Sequence, residues 1–147
     1  ASTESVQGEN RAAAKRHAAF VKEVIRTGEP VSRPACLLSG GETTVTVVGS
    51  GQGGRNQEFA LAAAMEIENL DDVVILRGAP DGTDGPTEAA GGIVDGATVR
   101  RGKGKQLDAE KFLARNDSYN FLHASDDLLF TGPTLTNVMD LQITLIG

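Results

Sequence analysis

The sequence predicts an α/β fold: a mixed β-sheet flanked by helices. Stretches with apolar residues at helical spacing alternate with short runs that are continuously apolar or β-branched. Gly-rich turns separate them, and the densest holds six glycines between Gly40 and Gly54. Aromatics make up 4% of the 147 residues and Trp is absent, so one aliphatic core of Ala, Val, Ile and Leu is expected.

Residues 1–8 are small and polar and read as a flexible start, with one domain expected over 9–147. Over 9–27, Ala13, Phe20, Val21, Val24 and Ile25 fall on one helical face, and Gly28 followed by Pro30 stops the helix. His17 borders that face and is read as a packing residue. Residues 34–39 form a short buried strand, and 43–48, TTVTVV, a second β-branched one. A helix follows over 56–70; its FALAAAM half is apolar nearly all round, which calls for cover on several sides. Residues 73–76 are a third strand, and 78–92 a loop in which Thr87 caps a short helix over 88–93. A basic surface loop over 98–106, helical segments over 108–115 and 118–123, and closing strands near 128–130 and 141–146 complete the chain.

The net charge of −6 argues against nucleic acid as the main partner. No apolar run approaches the ~20 residues of a membrane span, and no signal segment is seen at the N-terminus. A cytoplasmic protein is the default. Cys36 is the sole cysteine, and His17 and His123 stand apart, so no zinc cluster is expected.

The strand, glycine turn and helix start over 39–58 would aim free N–H groups and a helix dipole at one spot, suited to an anion. Arg55 at the helix start strengthens that reading. Residues 49–54 also satisfy G-x-G-x-x-G, the dinucleotide pattern. The acidic residue that pattern wants after the next strand is missing near residues 76–78. The basic loop, with Arg100, Arg101, Lys103 and Lys105, contains no phosphate-binding P-loop. Asp81 and Asp84 are either turn formers or groups for Mg²⁺ or general-base work. Thr134, Thr136, Asn137 and Asp140 divide in the same way between turn capping and substrate contact.

Three blocks in order, SGGETTVTVVGSGQGGRNQEFAL, DGTDGPTEAAGG and TGPTLTNVMDL, resemble the C-terminal domain of the class II glycerate kinase family, also known under the name hydroxypyruvate reductase. The resemblance spans most of residues 37–141. It implies an ATP-dependent phosphotransferase that acts on D-glycerate, usually at the 2-hydroxyl, with Mg²⁺. It implies a two-domain enzyme with the site in the cleft, so that an N-terminal nucleotide-binding domain is the missing partner and the isolated chain is inactive. A homodimer is left open. Arg55 is then the residue that holds substrate carboxylate or phosphate, supported by Glu42, Thr43, Gly53, Gly54, Asn56 and Glu58. Asp81 and Asp84 match the family's acidic pair, and Thr134, Thr136, Asn137 and Asp140 its last block. Pro80 stands where the family usually has Thr. Two other functions remain at this stage: an NAD(P)-dependent hydroxypyruvate reductase domain, and an anion-binding module without catalysis.

Overall fold

A computed structural model describes residues 9–45 and 47–147; the proposed flexible start over 1–8 lies outside them. Helix α1 (Asn10–Thr27) begins where the Glu9 carboxylate accepts from the Ala12 amide, and ends at Gly28, whose φ of 72° suits glycine. Strand β1 (Ala35–Gly40) is followed by α2 (Arg55–Glu66), β2 (Val73–Gly78) and β3 (Gly91–Asp95). The short helices α3 (Thr98–Lys103), α4 (Ala109–Ala114) and α5 (Ser118–Ser125) come next, then β4 (Leu128–Leu129) and β5 (Leu141–Ile146).

The α/β class and the flanking helices stand. The sheet, in the order β1-β5-β2-β3-β4, is antiparallel in every pairing rather than mixed, with the last strand inserted between β1 and β2. Register places Leu37, Thr144, Ile75 and Val94 in one row and Ser39, Gln142, Arg77 and Gly92 in the next, all on the face that the helices cover. The opposite face leaves Leu38, Val74, Leu141 and Leu145 exposed. Helix α2 is the centre of the core. It packs against α1, β2, β3, α4 and α5, and residues from Asn56 to Ala64 are all buried, the cover that the all-round apolar segment requires. At Gly92 the helix comes so close that an added Cβ would lie 2.9 Å from the Ala60 Cβ.

Three expected elements differ. Residues 43–48 are not a strand: the described ones make only an isolated bridge, Thr44 to Glu9, and Thr46 lies outside the described residues. Several polar groups of the described ones bond elsewhere. The Asn10 amide donates to the Thr44 carbonyl at 2.9 Å, and Asn116 Oδ1 accepts from the Val48 and Gly49 amides at 2.8 and 3.0 Å. Residues 88–93 hold no helix, because Gly91 and Gly92 pair with Gly78 and Arg77 as β3. The basic segment is helical over α3, since Asp95 and Thr98 side chains bond the backbone at its start and Gly102 lets the Phe121 ring pack on its surface.

Candidate functional site

A cavity of about 690 Å³ opens at one end of the sheet, where the loops over 43–54 and 79–86 meet Asn137 and Asp140. That size is ordinary for a small-molecule site. Asn116 and Ser118 line a further wall.

Arg55 begins α2 and lies at this cavity. Its Nε sits 2.5 Å from Asp140 Oδ2 and its Nη2 3.0 Å from Oδ1, a two-pronged pair. Nη2 also reaches Glu42 Oε1 at 3.4 Å. Nη1 has no partner among the described residues. The Arg55 side chain is 38% exposed while that of Asp140 is 1% exposed, so a buried carboxylate presents a cation to solvent. The hydrogen bonds to Asp140 hold the guanidinium protonated, its pKa above the usual value.

The glycine turn does not leave the start of α2 open to an outside anion. Asp84 fills it: Oδ1 accepts from the Asn56 amide at 3.0 Å and from Asn56 Nδ2 at 3.1 Å, and Oδ2 accepts from the Gln57 amide at 2.8 Å. Burial pushes the Asp84 carboxyl up from its ordinary range, and these donors oppose the shift. The glycines are used for contact within the chain. A Cβ on Gly54 would lie 2.3 Å from Asp84 Cγ, and one on Gly53 2.3 Å from Ser118 Oγ. The turn is laid along the start of α5, with the Gln52 amide donating to Asp117 Oδ1 at 3.0 Å.

The other expected site residues divide. Asn56, Gly53, Gly54, Thr43, Glu58, Asp81, Asp84, Asn137 and Asp140 all border the cavity, while Glu42 joins only through Arg55. Thr43 is buried, donating from Oγ1 to Asn10 Oδ1 at 2.6 Å. Glu58 Oε1 takes Arg11 Nη2 at 2.6 Å and Asn116 Nδ2 at 3.0 Å. Thr134 and Thr136 do not line the cavity; Thr134 Oγ1 bonds the Pro80 carbonyl and so ties two loops together. Pro80 itself lies on the wall, with its backbone carbonyl taken by Thr134.

Sequence reasoning overlooked Asn10, Arg11, Asn116 and Arg77. Asn10 and Arg11 fall in the first turn of the helix expected over 9–27, and Arg77 just after the strand expected over 73–76. Arg77 is fully buried, lies 4.5 Å over the Phe59 ring, and donates to Asn56 Oδ1, Gln142 Oε1 and the Gly41 carbonyl. Burial lowers its pKa. His17 packs as expected, and the network also settles its tautomer. Arg77 can only donate, so Gln142 turns Oε1 toward it and donates from Nε2 to His17 Nδ1, leaving His17 Nε2–H for Thr144 Oγ1 at 2.7 Å.

Among the described residues no group of three His, Cys, Asp or Glu could cage a metal. Mg²⁺ bound with a nucleotide needs only one or two carboxylates. Asp81 fits that need: its Oδ1 accepts from the Thr83 amide at 3.0 Å, and Oδ2 is unengaged among the described residues.

The MOFRL family model matches residues 35–140. The chain is 51% identical over 144 residues to a D-glycerate 2-kinase of Thermotoga maritima, covering 98% of this chain and 34% of that protein. It is 44% identical over 145 residues to a glycerate 2-kinase of Pyrococcus horikoshii, covering 98% and 33%. It is also 41% identical over 146 residues to an Agrobacterium vitis protein with the provisional name hydroxypyruvate reductase, covering 98% and 38%. The chain thus spans about a third of the length of these relatives. The crystal structure of a glycerate kinase from Thermotoga maritima superposes with a TM-score of 0.96 at 50% identity, over 99% of this chain and 35% of that one. A Pyrococcus horikoshii protein structure gives 0.91 at 45% identity, over 98% and 33%.

Proposed function

Because the chain belongs to the MOFRL family, we propose that residues 9–147 act as the C-terminal domain of an ATP-dependent glycerate kinase, forming one wall of its cleft. The observation that carries this reading is Arg55, a cation presented at a cavity by the buried Asp140, with Nη1 left for a carboxylate or phosphate oxygen. The substrate is D-glycerate, phosphorylated at the 2-hydroxyl. Phosphoryl transfer asks mainly for positioning and for neutralisation of oxygen charge. Here Arg55 orients the substrate anion, and Asn137 lies at the same cavity. Asp81 would hold Mg²⁺, which neutralises phosphate oxygens when bound. Asp84, with both oxygens engaged by α2, supports the site rather than acting as a base.

The charge balance favours a divided site. Glu58, Asp81, Asp84 and Asp140 border the cavity, and Arg55 is the one Lys or Arg among its described lining residues. Such a wall cannot neutralise a triphosphate alone, so further cations come from the N-terminal domain, and the isolated chain is inactive. The reductase reading loses its physical basis, since the N–H groups a pyrophosphate would take at the start of α2 are held by Asp84. Among the described residues no helix is long and apolar enough to cross a membrane; the cytoplasmic setting is part of the proposal.

The test is a coupled ATP-dependent assay on D-glycerate with this chain joined to an N-terminal segment of the length its relatives carry, beside an NAD(P)H assay on hydroxypyruvate. Turnover in the first alone, lost in Arg55→Ala, is expected. Turnover with nicotinamide alone would overturn the kinase reading.

A further inference from the structure

Among the described residues Arg77 is the largest fully buried side chain, and no carboxylate lies within ion-pair distance of it. Each nitrogen of its guanidinium instead meets a neutral oxygen: Nε with Asn56 Oδ1 at 3.1 Å, Nη1 with Gln142 Oε1 at 3.0 Å, Nη2 with the Gly41 carbonyl at 3.3 Å. A buried cation bonded only to neutral acceptors, with Asp140 and Asp84 acting on it from beyond ion-pair distance, is costly. The identity of the three acceptors explains it. Gly41 precedes Glu42, Asn56 follows Arg55, and Gln142 lies two residues after Asp140. Those three neighbours are the members of the ion-pair cluster at the cavity. Gly41 is further tied to the same cluster by its amide, which donates to the Asp140 carbonyl at 3.1 Å.

We propose that Arg77 is the positioning residue of the Arg55 clamp, locking loop, helix and strand together from beneath so that Glu42 and Asp140 meet Arg55 in register. The planar fork is what makes this work. It supplies three divergent donors at fixed angles, which a Lys ammonium on a flexible stem does not. The functional meaning of the clamp rests on the kinase reading above; the mechanical link does not.

The test is proton exchange at the Arg55 Nε–H, followed by ¹⁵N NMR on the 147-residue chain and assigned by its loss in Arg55→Lys. In the unsubstituted chain this proton, held against Asp140, exchanges slowly. In Arg77→Lys its exchange accelerates by about tenfold or more while the amides of α2 and β5 keep their protection, as local opening requires. If Arg77→Lys does not fold, Gln142→Met removes one of the three grips and gives a smaller acceleration at the same proton. Unchanged Arg55 exchange overturns the proposal. So does a uniform acceleration of Arg55 and all amides together, or collapse of both variants, since either makes Arg77 a residue of folding alone. Absence of kinase turnover in the unsubstituted enzyme would overturn the function proposed above and leave this result standing.

Discussion

The Asp84 carboxylate sits on the first turn of α2, its Oδ1 3.0 Å from the Asn56 amide nitrogen, although the two residues are 28 apart in the chain. With Oδ2 on the Gln57 amide at 2.8 Å, Asp84 caps a helix whose own N-cap residue, Gly54, has no side chain to do so. Asp84→Ala therefore strands two buried amides. A loss of about 2–3 kcal/mol in urea-unfolding stability is expected. A loss below about 0.5 kcal/mol would mean that water satisfies these groups equally well.

His17 makes stability depend on pH. Burial, then the nearby Arg77 cation, pushes its pKa down from 6.5 to about 4. Between these values the unfolded chain binds a proton that the folded chain does not. The contribution is thus complete above 6.5 and is lost as pH falls toward 4, about 3 kcal/mol in all. The raised Asp84 carboxyl acts with the opposite sign, so the comparison is with His17→Gln, in which the fall between pH 6.5 and 4 should flatten. Parallel pH profiles for the two proteins would exclude His17 as the source.

Parts of this arrangement were legible beforehand for local reasons. Val21 and Val24 mark the buried face of α1, and Gly28 ends it, because helix period and a left-handed cap are properties of neighbouring residues. The place of Arg55 at the start of a helix beside a glycine turn was likewise readable, and it lies at the cavity. Long-range satisfaction was not. The β-branched run over 43–48 has the composition of a strand, yet the place beside β1 is taken by β5, a hundred residues later, and the bonds of the run go to Asn10 and Asn116. Gly91 and Gly92 follow residues that read as a helix start, but Arg77 and Gly78 pair with them. The anion expected at α2 was supplied by the chain itself, which no local pattern around the glycines could reveal.

Gly54→Ala tests whether the glycine turn serves contact within the protein. The backbone at Gly54, φ −127° and ψ 175°, is one that alanine adopts readily, so any effect comes from space. The added methyl would lie 2.3 Å from Asp84 Cγ and 2.5 Å from its backbone carbon, which cannot both move without breaking the cap. Destabilisation of about 2 kcal/mol or more is expected, by the overpacking cost joined to the lost cap. A neutral result in thermal melting would show that the 79–86 loop yields freely.

Asp140 and Arg55 should behave as one unit in the intact enzyme. Arg55→Ala removes the charge-assisted contact proposed for the substrate and should lower kcat/KM by about 100- to 1000-fold. Asp140→Asn keeps the cation but loses the two-pronged hold at 2.5 and 3.0 Å, so a smaller loss of about 10-fold is expected, with the orientation of Arg55 relaxed. If Asp140 acts only through Arg55, the double variant is no worse than Arg55→Ala alone, because the carboxylate then has nothing left to orient. Losses that multiply in the double variant would instead place Asp140 in direct contact with the substrate or its metal, a role its 1% exposure argues against.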